Sequence, residues 1–384
     1  MTLRRPTFYE FFAGGGMARA GLGEGWDCLF ANDFHPQKGD SYRDNWGGAD
    51  LKVGDVWKLD LRDLPEPPGG GAVDLAWASS PCQDLSLAGK RGGLSGERSS
   101  AFWGFHRLMQ GLDREGRSPR MLVIENGGGL ATSNGGEDCI ALCAALAGLG
   151  YTFGALEIDA AHFLPHSRPR LFVVAAKAIS SRGRVAAGPV APFHSARVVE
   201  AHARLPCELQ ACWRWWSLPT PPARNIDLAA LLEPDDAVTW FDEAQTRTLA
   251  DALSPLHRRR LDAAAALHGR AVAPVYRRMR VVDGAKVQRA ELRLDGLAGC
   301  LRTPGGGSSK QFLIVSEGGS LRARALSPRE AARLMGLSED YRLPASATAA
   351  LQLTGDGVAA PVVRWLAEHL LEPLSASAGK RVAA

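Results

Sequence analysis

A cysteine and a glutamate stand where two predicted strands end. Cys82 lies in the stretch SSPCQDLS, directly after the apolar run Val73–Ala78, and Glu125 ends the apolar run Met121–Glu125. An isolated cysteine is most often a small buried apolar residue. In neighbouring strands of one sheet, however, these two residues would bring a thiol and a carboxyl group to the same rim. Without a histidine the pair makes a poor protease, but it suits thiolate addition to an electron-poor ring whose nitrogen the carboxyl group protonates.

A glycine-rich turn near the N-terminus predicts a site for a nucleoside-containing cofactor. The stretch FFAGGGMARAGL, residues 11–22, has the pattern of a strand, a turn and a helix, which lets a ligand approach the backbone and the helix amides. Asp33 follows the second predicted strand, where a carboxylate can bind ribose hydroxyls, and Asp55 in VGDVW follows what looks like a short third strand ahead of Val73–Ser79. Either aspartate alone could cap a helix, but their positions at successive strand ends favour cofactor binding.

Alternating apolar runs and helical patterns over about the first 175 residues predict a sheet built from strand–helix–strand units. The predicted strands are Thr7–Phe12, Asp27–Asn32, Val73–Ser79, Met121–Glu125, Tyr151–Ile158 and Arg170–Ala175. The predicted helices between them are Met17–Gly23, Ala101–Leu112 and Cys139–Leu149. Such sheets bind ligands at the carboxyl ends of their strands, where the unusual residues fall.

The pattern changes after residue 178. Glu243–Leu267 is predicted to be one helical run, and Trp213 and Trp216 are predicted to lie in the core of a smaller domain. Regular structure resumes at LSPREAARLMGL, where Ser327 is the predicted N-cap of a helix with a capping box. A last helix is predicted over Pro361–Leu371.

Length and composition favour a soluble protein of two domains. The chain has 384 residues, of which 46% are hydrophobic and 22% charged, a composition that excludes a wholly disordered protein. No apolar run reaches the roughly 20 residues that span a bilayer, and the N-terminus lacks the apolar region of a signal peptide. Seven cysteines without a Cys-x-x-Cys pair favour reduced thiols and no metal site. We therefore expect a cytoplasmic protein without membrane attachment.

Basic residues are concentrated in the middle of the chain. Residues 178–324 contain 21 Lys and Arg against 14 Asp and Glu, whereas the rest contains 24 against 27. An excess of this kind suits a phosphate backbone, although a solvated surface can also produce it. Charge alone therefore leaves nucleic-acid binding open.

Six short motifs follow one another across nearly the whole chain. They are FFAGGG, PCQ, EN, LPHSRPRLFVV, RALSPREAARLMGL and LTGDGV. In this order they resemble the cofactor loop, nucleophile, catalytic-acid, Q-x-R-x-R, penultimate and final G-N-S-V motifs of bacterial or phage DNA (cytosine-5)-methyltransferases. PCQ alone is short enough to recur by chance, whereas six motifs in sequence are specific.

The resemblance implies an α/β fold, with the Rossmann-like sheet of an S-adenosylmethionine-dependent methyltransferase and an inserted smaller target-recognition domain. Residues 1–177 and 325–384 would form the catalytic domain, and residues 178–324 the DNA-binding domain. The implied catalytic residues are Pro81, Cys82, Glu125, Asn126, Arg168 and Arg170. The implied residues for S-adenosylmethionine are Phe12, Ala13, Gly14, Gly15, Gly16, Asp33, Phe34, Asp55, Val56, Pro81, Asp356 and Gly357. The implied DNA-binding residues are Ser86, Lys90, Arg91, Arg98, Arg302, Thr303, Gly305, Gly306, Ser308, Ser309 and Lys310.

Four positions depart from the family pattern. His166 stands where the family usually has Gln, Gly127 where Val is usual, and Asp33 where Glu is common. Asp33 keeps its carboxylate, so ribose binding should survive. Asp356 replaces the usual Asn, and its charge could repel the carboxylate of the cofactor unless a water or a cation intervenes.

The resemblance also implies a mechanism. The target cytosine leaves the duplex stack, Cys82 adds to its C6, and C5 takes the methyl group of S-adenosylmethionine. Glu125 would bind N3 and the exocyclic amine, while Arg170 and Arg168 would hold the O2 of the base and a neighbouring phosphate. Leu85–Ser100 could be an ordinary surface loop, but the resemblance favours a lid that closes on DNA.

The expected partner is double-stranded DNA, with a cognate restriction endonuclease as a further candidate, and the expected state is a monomer. Two other functions stay open at this point. A tRNA cytosine-5-methyltransferase would share the chemistry, although the basic insert favours DNA. A non-catalytic DNA-binding relative is disfavoured because Cys82, Glu125 and Arg170 are all present.

Overall fold

The computed structural model describes residues 4–80, 101–282, 284–303 and 310–379. Within them the strands are β1 (Thr7–Phe11), β2 (Asp27–Asp33), β3 (Leu51–Val53), β4 (Leu75–Ser79), β5 (Met121–Gly127), β6 (Thr152–Asp159), β7 (Pro169–Ala176), β8 (Val185–Ala186), β9 (Trp215–Trp216), β10 (Arg270–Val282), β11 (Ala285–Leu292), β12 (Gln311–Glu317) and β13 (Ser320–Ala325). The helices are α1 (Met17–Leu22), α2 (Pro36–Trp46), α3 (Ala101–Arg114), α4 (Glu137–Gly148), α5 (Ala196–Arg204), α6 (Cys207–Cys212), α7 (Leu228–Leu231), α8 (Glu243–Asp251), α9 (Pro255–His268), α10 (Pro328–Leu334), α11 (Ala347–Asp356), α12 (Ala360–Leu366) and α13 (Glu372–Gly379). None of the helices in these ranges is both long and apolar enough to cross a membrane.

The chain packs as two compact units. The first takes the described residues as far as Asp159, Pro169–Pro221 and the chain from Ala360. The second takes Ala160–Arg168 and the described residues of Pro222–Ala359. These packing boundaries differ from the predicted functional boundaries after residues 177 and 324, and the functional division stays a prediction.

A seven-stranded sheet forms the centre of the first unit. Its order is β3-β2-β1-β4-β5-β7-β6, in which β7 runs antiparallel to both neighbours and the other pairs are parallel. Successive residues of a strand face opposite sides of the sheet, yet all five residues of β1 are buried. Apolar side chains are therefore covered on both faces, which explains why these strands appear in the sequence as continuous apolar runs. The predicted strands of this region are confirmed to within two residues at each end.

The second unit is built on an antiparallel sheet of order β11-β10-β12-β13. Its apolar cluster joins Leu249 of α8 and Leu261 of α9 to Ala273, Val275 and Ile314 of the sheet. The predicted capping box before α10 is confirmed, since the Ser327 hydroxyl accepts from the Glu330 amide and the Glu330 carboxylate accepts from the Ser327 amide. Two different kinds of sheet thus form the centres of the two units.

Two details of the predicted elements were wrong. The helical run Glu243–Leu267 is two helices, because Ser254 caps a new helix that begins with Pro255, and proline supplies no backbone donor to the preceding turn. Trp213 and Trp216 are buried, as predicted for core residues, but they belong to the first unit, where Trp213 packs against Phe153 of β6. Their spacing resembled a helix, but Trp216 lies in the short strand β9.

Candidate active site

Glu125 and Arg170 form an ion pair near the end of β5. β4 and β5 run parallel with Ser79 opposite Glu125, and β5 and β7 run antiparallel with Gly127 opposite Arg170. Arg170 Nε lies 3.3 Å from Glu125 Oε1, and the Glu125 side chain is only 7% exposed. A buried carboxyl group is costly unless it is paired, and the contact with Arg170 offsets that cost for Glu125. The sheet thus presents a carboxyl group and a guanidinium together where β4 ends.

Asn126 ties the end of β5 to the exit of β4. Its Nδ2 atom donates to the carbonyl oxygen of Ser80 at 3.0 Å, and its Oδ1 atom accepts from the Gly127 amide at 2.8 Å. Pro81 and Cys82 follow Ser80 directly in the sequence and lie outside the described residues. Asn126 is buried and holds backbone in the structure, and its catalytic role stays a prediction.

Asp33 holds the glycine-rich turn against β2. One Asp33 oxygen accepts from the Gly14 amide and the other from the His35 amide, both at 2.8 Å. Phe12, Gly14 and Gly16 have φ angles of 58°, 57° and 77°, a left-handed region that glycine adopts without strain. A Cβ atom at Gly14 would meet no atom within 4 Å, which leaves open space in front of the turn. The turn is therefore held in place by Asp33 and is also accessible to a ligand.

The predicted cofactor residues on the next two strand ends differ in their surroundings. Phe34, next to Asp33, is 68% exposed, so its ring is available to a planar base. Asp55 accepts from the Trp57 amide at 3.0 Å and caps the short turn Val56–Lys58. Capping alone explains the position of Asp55, whose role in cofactor binding stays a prediction, as does that of the buried Val56.

Two residues that the sequence patterns did not single out support the glycine-rich turn. Glu10 is buried in β1 and accepts from the Arg19 amide of α1 at 3.3 Å, and burial raises the pKa of Glu10 to about 8. Trp46 donates from its indole nitrogen to the Gly15 carbonyl at 2.9 Å. A single acid in the apolar run TFYEFF was a signal for Glu10, whereas the pattern around Trp46 gave none.

Arg168 is an anchor inside the second unit. Its Nη1 atom donates to the Leu301 carbonyl at 2.6 Å, and its Nη2 atom donates to the carbonyls of Gly355 and Gly357 at 2.8 and 2.6 Å. The residue is 1% exposed. Its predicted contact with the base would compete with these bonds, because both terminal nitrogens already hold backbone. In the structure Arg168 thus holds backbone, including that of Gly357, a predicted cofactor residue, and its catalytic role stays a prediction.

Two departures from the family pattern meet at the segment 301–303. His166 is fully buried, accepts from the Leu301 amide through Nε2 at 3.1 Å and donates from Nδ1 to the Leu334 carbonyl at 2.9 Å. An amide can only donate, so this geometry requires the neutral ring with its proton on Nδ1. The Asp356 carboxylate accepts from the Thr303 hydroxyl. A role of Asp356 in cofactor binding stays a prediction.

The predicted DNA-binding residues divide into two groups. Arg302, Thr303 and Lys310 are exposed in the second unit. The following residues lie outside the described residues: Ser86, Lys90, Arg91, Arg98, Gly305, Gly306, Ser308 and Ser309. Among the residues that are described, no group of three or more His, Cys, Asp or Glu side chains could hold a metal ion.

Comparison with known protein families matches residues 6–372 to the family described as "C-5 cytosine-specific DNA methylase". The chain belongs to this family. The enzyme is accordingly a cytosine-5 DNA methyltransferase that uses S-adenosylmethionine.

Curated relatives match either nearly the whole chain or less than half of it. The type II methyltransferase M.HpaII of Haemophilus parainfluenzae is 24% identical over 386 residues, covering 96% of this chain and 90% of the relative. The type II methyltransferase M.BsuFI of Bacillus subtilis is 30% identical over 170 residues, which are 44% of this chain and 38% of that protein. M.HhaI of Haemophilus parahaemolyticus is 22% identical over 94% of this chain and 93% of its own length.

Solved structures confirm the predicted fold class. The S. pombe Dnmt2 methyltransferase matches with a TM-score of 0.60 at 20% identity, covering 96% of this chain and 99% of that one. A putative DNA modification methyltransferase encoded within an E. coli prophage matches with a TM-score of 0.50 at 16% identity, covering 97% and 99%. At these identities the likeness concerns the fold alone.

The glycine-rich turn of the methyltransferase fits S-adenosylmethionine in its chemistry. The open space before Gly14 admits a ligand close to the backbone, and the exposed ring of Phe34 can stack on a purine. The Asp33 oxygens keep lone pairs for hydroxyl donors, because each accepts one amide in the structure. When bound, the cofactor supplies the methyl group from its sulfonium.

The raised pKa of Glu10 predicts a pH-dependent stability for the methyltransferase. The folded-state pKa of about 8 exceeds the ordinary value of 4.5, so the contribution of Glu10 to stability is full below pH 4.5 and is lost as the pH rises through 8. Glu10→Gln, which cannot ionise, should therefore flatten the fall in the free energy of unfolding between pH 5 and pH 9. Urea unfolding at several pH values measures the free energy of unfolding, and Glu24→Gln, at an exposed position, is the control. Parallel curves for Glu10→Gln and wild type would contradict the assignment.

The buried hydrogen bonds of His166 predict different effects for two substitutions. His166→Ala leaves the Leu301 amide and the Leu334 carbonyl unpaired, which typically costs about 1–3 kcal/mol of stability. It should also weaken DNA binding, because Arg302 follows Leu301 directly, whereas cofactor affinity should hardly change. His166→Gln restores a donor and an acceptor and should rescue both properties. Urea unfolding and DNA titration test this, and an alanine variant that binds DNA like wild type would refute it.

Proposed function

We propose that the enzyme methylates C5 of a flipped-out cytosine in a specific duplex sequence, with Cys82 as nucleophile and Glu125 as acid. The observation that carries this proposal is the Glu125–Arg170 pair, one strand away from the exit of β4 that leads to Cys82. Asn126 supports it, since its bond to Ser80 holds that exit against β5. Flipping the base costs a few kcal/mol and brings C5 and C6 within reach of side chains.

The proposed reaction begins with addition of the Cys82 thiolate to C6. Desolvation by the bound base and DNA favours the protonated form of Glu125. The new sulfur–carbon bond uses the C5–C6 π electrons, while Glu125 delivers that proton to N3, so that C5 becomes nucleophilic. C5 then takes the methyl group of S-adenosylmethionine. Loss of the C5 proton to water reforms the double bond, expels the thiolate and returns the N3 proton to Glu125. Arg170 holds the Glu125 carboxyl group in place and binds O2 of the base.

Residues 178–324 are proposed to supply sequence choice, because the basic excess and the exposed Arg302 and Lys310 fall there. The full-length likeness to type II methyltransferases supports a role beside a cognate restriction endonuclease in the cytoplasm of a bacterium or an infected host. Bisulfite sequencing of plasmid DNA from expressing cells would identify the methylated sequence. Methylation of tRNA but not of duplex DNA in vitro would instead favour the RNA alternative.

Cys82→Ser should abolish methyl transfer while cofactor binding stays nearly unchanged, because the hydroxyl is a far weaker nucleophile than a thiolate. Transfer of a labelled methyl group to duplex DNA and calorimetric titration with the cofactor measure the two properties. The exposed Cys207→Ser is the matched control and should remain active. Full turnover by Cys82→Ser would exclude the proposed nucleophile.

Glu125→Gln keeps the shape and a donor but cannot deliver a proton, a contribution that is typically 10²- to 10⁴-fold. We expect a loss of that order in the single-turnover rate at saturating DNA and cofactor, with DNA affinity retained. Glu157→Gln, which changes another arginine-paired carboxylate of the sheet, is the control. A rate for Glu125→Gln within a few-fold of wild type would mean that Glu125 only orients the base.

A further inference from the structure

The hairpin of the second unit extends beyond its sheet as a basic ribbon. β10 pairs with β12 only over Arg270–Tyr276, whereas its pairing with β11 continues from Val275 to Val282. We call the part made of Arg277–Val282 and Ala285–Ala290 the ribbon. On the β12 side, no described strand pairs with this part of β10. The ribbon is therefore a two-stranded element with solvent on most of its surface.

The ribbon carries more positive charge than its own ion pairs neutralise. Residues 277–290 contain five basic residues and one acidic residue. Arg278 lies directly opposite Arg289 in the pairing, and like charges in this position destabilise a hairpin. Glu291 partly offsets this through ion pairs with Arg280 and, at 3.8 Å, with Arg278. No acidic side chain of the described chain forms an ion pair with Arg289. A destabilising charge pair on an exposed ribbon points to an external anion.

The ribbon begins beside Lys310, a predicted DNA-binding residue that directly precedes β12. β12 starts at Gln311, opposite Tyr276, so Lys310 leaves the sheet at the position where the ribbon starts. The chain leading to Arg302 passes the same place, since a Cβ atom at Gly299 would lie 3.4 Å from Tyr276 Cδ1. The basic residues of the ribbon thus continue the basic surface that Arg302 and Lys310 begin.

We infer that the ribbon is a second DNA-contacting surface, which binds backbone phosphates beside the recognition sequence and reads no bases. The inference rests on the proposed duplex substrate. Arg278, Arg280 and Arg289 share one face of the ribbon, because they occupy alternate or directly opposed positions. Phosphate contacts provide affinity and orientation, whereas base contacts specify sequence.

The triple variant Arg278→Gln, Arg280→Gln, Arg289→Gln tests the inference. It removes both the repulsion between Arg278 and Arg289 and the ion pairs of Glu291, which have opposite effects on stability, so urea unfolding checks the fold before DNA binding is compared. Each lost phosphate contact should reduce the slope of log K against log salt concentration by about 0.9, so we expect a reduction of up to about 2.7. Affinity should fall equally for cognate and unrelated duplexes. The methylated sequence and the single-turnover rate at saturating DNA should stay unchanged.

A control variant separates local contact from net charge. Arg247→Gln, Arg258→Gln, Arg260→Gln removes the same charge from exposed positions on α8 and α9 of the same unit. Equal salt slopes for the two triple variants would overturn the inference. A change in the methylated sequence caused by the ribbon variant would also overturn it, because the ribbon would then read bases. Absence of duplex binding by the wild type would instead refute the proposed function itself.

Discussion

The parallel pairing of β4 with β5 is the constraint on which the active site depends. It sets Ser79 opposite Glu125, and the next residue of each strand is then joined by the bond from Asn126 to Ser80. Because backbone hydrogen bonds fix the register, the carboxyl group and the chain leading to Cys82 meet at one rim. The antiparallel β7 adds Arg170 from the other side of β5, and a one-residue slip would move its side chain to the opposite face.

In the second unit, buried side chains hold the segment 301–303, which contains two exposed residues that are predicted to bind DNA. His166 accepts from the Leu301 amide and Arg168 donates to the Leu301 carbonyl, while the next residues, Arg302 and Thr303, remain exposed. Gly355 makes the close approach feasible, since a Cβ atom there would lie 2.6 Å from the Arg302 carbonyl carbon. Arg168 and Arg170 stand two residues apart in one motif, yet the former anchors backbone and the latter pairs with Glu125.

Two of the four departures from the family pattern, His166 and Asp356, have local physical explanations. His166 in place of Gln still provides one donor and one acceptor, which is what its two backbone partners require. Asp356 in place of Asn accepts from the Thr303 hydroxyl, an interaction that a carboxylate forms strongly. His166 contacts Leu301 and Asp356 contacts Thr303, so both departures support the same short segment, residues 301–303.

Short motifs and apolar periodicity were sufficient to predict the α/β methyltransferase sheet and the family, because strand ends and nucleophile motifs are local features of the sequence, whereas the catalytic chemistry stays a prediction. The sequence by itself also placed Glu125 at a strand end and a basic excess in residues 178–324. Only the tertiary structure decided that Asn126 and Arg168 hold backbone, that Asp55 caps a turn and that Trp213 belongs to the first unit. These roles depend on partners distant in the chain, such as Gly357 for Arg168 and Phe153 for Trp213, and long-range packing leaves no periodic signal in the sequence around either residue.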